Sequence, residues 1–452
     1  MTTTKYRLFS WEHSYFSGKV RAYLRYKQAF DGLGPGFEDV LATPEILQKV
    51  LGPATGSPTV PQLCTPEGAF VQDSSEIIDV VEERHPGPSV LPSAESAPKQ
   101  RLACFLLELL ADEWMIVYAF WERWQYSREG ISPSHLDFNA LQWGAFLEPR
   151  LGGAERRLAG QALFDKVFSR EAPSDATAGP YAGLRHLGVD DATEPAWQAS
   201  NLRLLERLEA HFAAHDYVLG GRPSLADFAL LGPLYAHQYR DAVAGFILRT
   251  RFPLIAEWVE RCNATNALNA RAYDQVVYSV DEEGELVETL AQSDGGEWLP
   301  RDQIPETLAP VIEVFFEEMW PVLESTVLRV REYLSSGQRA PGGELPARSF
   351  SATPGFETLQ TGEGALTHDF TLGDVTSRRM VLPHHVWRLQ RLAAQVSACV
   401  DSDEGLDEVA SWLEAFARGD ELLELEELLA GARLRKIGGR LFVDDGGEDL
   451  LN

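Results

Sequence analysis

The feature that most constrains this chain is a change of hydrophobic period near residue 90. Up to Arg84, strand and helix signals alternate. A break at His85-Pro86-Gly87-Pro88-Ser89 and Pro92–Pro98 follows, after which helical spacing takes over. Tyr6-Arg7-Leu8-Phe9 reads as a strand. Ser17–Lys27 reads as a helix, with Val20, Tyr23, Leu24 and Lys27 three and four residues apart. Phe37–Leu41 is a second strand. Val60-Pro61-Gln62-Leu63 and Ala69-Phe70-Val71-Gln72 bracket a turn at Pro66-Glu67-Gly68 and read as a hairpin. Ser74–Arg84 is a helix with Ile77, Ile78 and Val81 on its apolar stripe. This order predicts a mixed sheet flanked by helices over residues 1–86.

Residues 98–280 read as an all-helical domain. Its helices are expected over Lys99–Tyr126, Phe138–Leu151, Trp197–Ala214, Ser224–Tyr239 and Pro253–Asn263. Residues 281–452 form a third region of helices and short strands. Glu306–Leu334 is amphipathic, with a kink expected at Pro321. Ser335–Thr367 reads as loop, Asp369–Leu372 and Arg379–Leu382 as paired strands. Pro383 opens a helix carrying Val386, Leu389, Leu392 and Val396. Leu434–Ile437 and Arg440–Val443 flank Gly438-Gly439, a type I′ hairpin signal. The third region is expected to pack against the helical domain, because Glu306–Leu334 carries a wide apolar face that needs cover.

The net charge of −28 disfavours nucleic acid and anionic lipid as partners. The four cysteines, Cys64, Cys104, Cys262 and Cys399, are far apart and read as buried reduced thiols. No membrane-spanning apolar run or export segment stands out, so a cytoplasmic location is expected. His384-His385 lacks further ligands at metal-binding spacing, and no metal site is expected.

Four local features bear on chemistry. In Ser10–Val20 a strand gives way to a helix through a turn rich in hydroxyls. A helix N-terminus stabilises a thiolate placed there, and Ser14, Tyr15 or Ser17 can donate a hydrogen bond to its sulfur. The bland reading is a serine cap with a packed aromatic. In Thr59–Leu63 a cis Val60–Pro61 bond would turn the Val60 main chain toward an extended, peptide-like ligand. In Gln72–Ile78, Asp73 can hold an ammonium group and Ser74 a carboxylate; the competing reading is a cap between Asp73 and Glu76. Ser224 and Asp227 have the spacing of a reciprocal cap at the start of a buried helix.

In this order, and with the break at 85–98, these features resemble the cytosolic glutathione S-transferase superfamily over about residues 5–265. The resemblance maps onto Ser14-Tyr15, Val60-Pro61, Asp73-Ser74 and Ser224/Asp227. It implies a thioredoxin-like N-terminal domain, an all-helical domain, glutathione as cosubstrate, a homodimer, and attack of the glutathione thiolate on a small electrophile. Trp114, Tyr118 and Trp121 share a helical face that borders the electrophile pocket in this family, and Trp11 is grouped with them. Three departures stand out. Thr59 replaces the basic residue common before Val-Pro, Asp73 is one methylene shorter than the usual glutamate, and Ser14 stands where thiol-transferring members carry cysteine. The alternative is a non-catalytic scaffold of this fold whose C-terminal region binds a protein partner.

Overall fold

The structure is a computed structural model describing residues 5–30, 32–127, 130–167, 186–263, 275–337, 340–345 and 366–446. The first unit runs β1 (Tyr6–Ser10), α1 (Tyr15–Ala29), β2 (Phe37–Leu41), three short helical turns (Pro44–Ile46, Leu47–Leu51 and Gly52–Thr55), β3 (Gln62–Cys64), β4 (Phe70–Gln72) and α2 (Ser74–Arg84). The sheet order is β2-β1-β3-β4, with β1 parallel to β2 and antiparallel to β3. Leu8, Leu63, Val20, Tyr23, Leu24, Ile77, Ile78 and Val81 are all fully buried. Each apolar one among them contributes roughly 1.5–3 kcal/mol by leaving water. This is the mixed, helix-flanked sheet that the alternating pattern predicts. Val60–Pro61 is cis.

The second unit opens with α3 (Pro98–Leu109), which passes through a wide π turn at Leu110–Met115 into α4 (Ile116–Gln125). Then come α5 (Leu136–Leu147), α6 (Gly153–Val167), α7 (Glu194–Ala214), α8 (Leu225–Pro233) with its π-helical end Leu234–Tyr239, α9 (Ala242–Arg251) and α10 (Pro253–Asn263). α5 and α6 touch through glycine. A methyl group on Gly144 would lie 1.6 Å from the Arg156 carbonyl oxygen, and one on Gly160 1.7 Å from that of Ala140. The start of α8 is fixed by Asp227, whose carboxylate accepts from the Ser224 N–H at 2.8 Å, the Val218 N–H at 3.0 Å and the Trp258 indole at 3.0 Å. The spacing of Ser224 and Asp227 anticipates this cap.

Val277–Val280, expected to close the all-helical unit, is instead a strand, β5, paired with β6 (Leu286–Thr289) in an exposed hairpin that opens the third region, because the turn around Gly284 brings the two segments together. The region continues through α11 (Ala309–Val314), a π turn at Phe315–Met319 and α12 (Trp320–Ser335). Pro321 lies in the first turn of α12, just after that π turn. The widened turn accommodates a residue that has no N–H to donate. A hairpin follows, β7 (Thr367–Leu372) and β8 (Val375–Met380), whose second strand starts four residues before the expected one because the turn falls at Gly373. Then come α13 (His384–Cys399), α14 (Asp403–Leu413), a 3₁₀ turn at Gly419–Glu424, α15 (Leu425–Leu429) and the hairpin β9 (Leu434–Ile437) with β10 (Arg440–Val443). Most of the expected Ser335–Thr367 loop lies outside the described residues.

This region packs against both earlier units. Asp302 caps α3 by accepting from the Lys99 and Gln100 N–H groups at 2.9 and 2.8 Å, a role that the local N-cap, Ala97, cannot fill. Glu318 receives the Trp114 indole at 3.2 Å and the Ser200 hydroxyl at 2.5 Å. All four cysteines are buried and free. No described helix is long and apolar enough to cross a membrane.

Candidate functional site

The sheet register gathers three of the sequence motifs at one end of the first unit. Phe9 stands opposite Gln62, so the turn after Ser10 runs beside Val60 and Pro61. Gln62 also stands opposite Gln72, so Asp73 and Ser74 emerge at the same end. Ser14 is the half-buried N-cap of α1, and its hydroxyl makes no capping bond. No described residue hydrogen-bonds the Val60 N–H or C=O.

The other two hydroxyls of the turn are differently placed. Tyr15 is buried and donates to the Ala111 carbonyl at 2.5 Å, stacking on Phe120. Burial, reinforced by Asp112 and Glu113, pushes its phenol well above the ordinary value. Ser17 is fully buried and its hydroxyl accepts from the Trp11 N–H at 3.2 Å. The turn is also held from the helical side. Arg123 donates to the His13 carbonyl at 3.0 Å and Arg240 to that of Glu12 at 2.6 Å. Trp11 packs against Trp143 and Phe146 of α5 at 4.7 and 4.6 Å between ring centroids.

Asp73 caps α2 with a strained backbone, φ +94°, a region unfavourable to side chains other than glycine. One carboxylate oxygen accepts from the Ser75 N–H at 3.0 Å. The other is met at 2.9 Å by Lys436, from the third region, which also reaches Glu76 at 3.1 Å. Burial would raise the Asp73 carboxyl, but the Lys436 ammonium, then Arg388 and His384, hold it well below the carboxylate range. At Glu76 burial wins and the carboxyl is raised. Neither the strain at Asp73 nor the arrival of Lys436 has a local sequence signal.

Two family models match the chain. The N-terminal domain of glutathione S-transferases matches residues 8–89, and the C-terminal domain matches residues 190–266. The first two units carry the two domains of the glutathione S-transferase superfamily. Both transferase domains are present, in family order, with the third region added after them. Among solved structures, a glutathione S-transferase from Rhodospirillum rubrum is 17% identical, with 60% of this chain and 93% of that one covered and a TM-score of 0.33. One from Methylobacterium radiotolerans, in complex with glutathione sulfonate, is 21% identical, with 60% and 97% covered and a TM-score of 0.32. The beta-etherase LigF of a Sphingobium strain is 19% identical, with 61% and 100% covered and a TM-score of 0.38. At these scores the family assignment rests on the domain matches. No curated protein matches the chain.

The aromatic residues grouped by sequence are dispersed rather than gathered around one described cavity. Trp11 lies against α5, as described. Trp114 packs on Trp197 at 4.6 Å and faces the third region through Glu318 and the Arg379 guanidinium. Tyr118 and Trp121 are neighbours at 5.3 Å. Tyr118 also lines a cavity of about 60 Å³ with Glu122, Asn201, Gln238 and Arg251. Burial, with Asp241 adding to it, pushes the Glu122 carboxyl up to about 8.

A buried charge cluster ties the transferase domains to the third region. Lys19 of α1 meets Glu108 at 2.8 Å and Asp112 at 2.7 Å. Arg388 of α13 reaches Asp112 at 2.9 Å and the Ser75 hydroxyl at 2.5 Å, while Arg391 pairs with Glu108 and with Asp79 at 2.7 Å. His384 and His385 both approach Glu113, at 3.4 and 3.2 Å. Among the described residues no cluster has the makings of a metal site.

Proposed function

We propose that this transferase binds glutathione along the start of β3, with its amino-acid head group at Asp73 and Ser74 and its sulfur at Ser14. The single observation that carries the reading is the uncommitted Ser14 hydroxyl. It stands at the N-terminus of a 15-residue helix, at the sheet end shared with Val60 and Asp73. The reference thiol pKa is near 8.5, and lowering it by about 2 corresponds to about 2.7 kcal/mol. A hydrogen bond to a charged group supplies roughly 1.5–3 kcal/mol, so one hydroxyl and the helix dipole suffice. The thiol proton passes to solvent. The thiolate then forms a carbon–sulfur bond to a small apolar or aromatic electrophile as its leaving group departs. Trp11, beside the turn, is the aromatic residue best placed to flank that electrophile. Tyr15, engaged with Ala111, is left a structural role. A cytoplasmic homodimer is proposed on family grounds.

Titrating the thiolate absorbance of bound glutathione tests the reading. Ser14→Ala should raise the bound thiol pKa by about 1–2, the equivalent of one charge-assisted hydrogen bond. Tyr15→Phe should leave that pKa alone and lower thermal stability. An unchanged thiol in Ser14→Ala refutes the assignment. The scaffold reading draws its support from one observation, the Lys436 ammonium already seated on Asp73. Retention of the full chain on immobilised glutathione separates the two readings.

A further inference from the structure

The β9–β10 hairpin is anchored at its base and reaches across to the first domain at its tip. At the base, the Gln390 side-chain amide holds both main-chain groups of Leu434, each at 2.8 Å. Gly342 and Leu345 add main-chain bonds to Val443 and Leu441. At the tip, Gly438 and Gly439 turn the chain with φ of 53° and 70°. A methyl group on Gly56 would sit 2.6 Å from the Gly438 carbonyl oxygen, so the two backbones touch there. Between base and tip, Lys436 lies over the Trp387 ring at 4.3 Å and places its ammonium on Asp73 and Glu76. Its side chain is 7% exposed, and Asp73 beneath it 15%. The outer side of the tip is open to water at Ile437 and Arg440.

The ammonium held by Asp73 thus comes from the protein itself. A ligand ammonium on the same carboxylate oxygen would lie within a few ångströms of Lys436, and like charges that close repel. We propose that this hairpin, through Lys436, is a built-in competitor for the head-group site. On this view glutathione, or any ligand with a free α-amino group, binds only once Lys436 has been lifted from Asp73. The inference rests on the glutathione reading above. It predicts that the third region sets the affinity of the site without contributing a group to the chemistry.

The test uses the full chain and calorimetric titration with glutathione. Lys436→Met removes the competing charge and keeps the stem over Trp387. Gln390→Leu loosens the base of the hairpin without touching the site. Both variants should bind glutathione at least about tenfold more tightly than wild type, the equivalent of 1.4 kcal/mol. Equal affinity in all three proteins overturns the competitor and leaves the glutathione reading standing. Weaker binding in Lys436→Met also overturns it, since Lys436 would then be a contact for the ligand carboxylate. No binding by any of the three sinks the glutathione reading, and the competitor with it.

Discussion

Replacing Glu122 with glutamine should make the protein more stable, by an amount that grows with pH. Glu122 is buried on α4 beside a small cavity, and none of the hydrogen bonds or ion pairs described for the structure reaches its carboxyl. Burial, then the charge of Asp241, carries the group from an ordinary 4.5 to about 8. The folded protein therefore keeps a proton that the unfolded chain releases above about pH 4.5. A raised carboxyl pKa gives stability that is full below the unfolded value and lost as pH climbs to the folded value. The loss runs at about 1.4 kcal/mol per pH unit and reaches a ceiling of about 5 kcal/mol. Water entering from the cavity lowers that ceiling. Glutamine keeps the shape and cannot ionise. Urea unfolding of wild type and Glu122→Gln, followed by tryptophan fluorescence at intervals from about pH 5 to pH 9, measures the difference. It should be below about 1 kcal/mol at the acid end, widen through neutrality and level off above about pH 8. A difference that stays constant across this range would show Glu122 to be ionised in the folded protein and refute the reasoning.

Three further outcomes are expected. Lys19→Met leaves Glu108 and Asp112 short of a buried counter-charge and should cost about 3–5 kcal/mol, read from the urea midpoint; a cost below about 1 kcal/mol would show the cluster to be wet. Asp227→Ala strands the Ser224 and Val218 N–H groups and the Trp258 indole, and should lower stability by about 3 kcal/mol or more, with a red-shifted tryptophan emission as its marker. Gly160→Ala drives a methyl group into the Ala140 carbonyl, so α5 and α6 must part. Near-ultraviolet dichroism should then report a changed setting for Trp143 and Trp11, and an unchanged spectrum would contradict the close helix contact.

The sequence disclosed what is local. Strand alternation, the break after Arg84, the Ser224/Asp227 cap and the paired glycines of the last hairpin each depend on neighbours a few residues apart, and each is found in place. One long-range hint was also present. Lys27 falls on the apolar stripe of α1, and it is indeed buried, paired with Glu82 at 3.0 Å. A lysine on a buried stripe requires an acid from elsewhere, which the spacing announces without naming. The candidate site was harder to read. The partner of the Asp73 carboxylate and the fate of the Tyr15 hydroxyl are set by residues far along the chain, Lys436 and Ala111. The shared face of Trp114, Tyr118 and Trp121 was visible as a helical stripe. What covers Trp114, namely Trp197 and Glu318, follows only from packing.

The charge cluster at Lys19, Glu108, Asp112, Arg388 and Arg391 also has a consequence in time. Its cations come from opposite ends of the chain, and its acids lie on α3 and the turn that follows it. During synthesis Glu108 leaves the ribosome long before Arg391. At roughly 5–20 residues per second the wait is on the order of 15–60 seconds. Throughout that interval one lysine faces two carboxylates in a site that will exclude water, so the nascent transferase domains cannot close fully around it. The helix that completes the cluster arrives with α13, and the hairpin bearing Lys436 follows within seconds. Closure of the ionic core and coverage of Asp73 are therefore late, nearly simultaneous events in the making of each molecule.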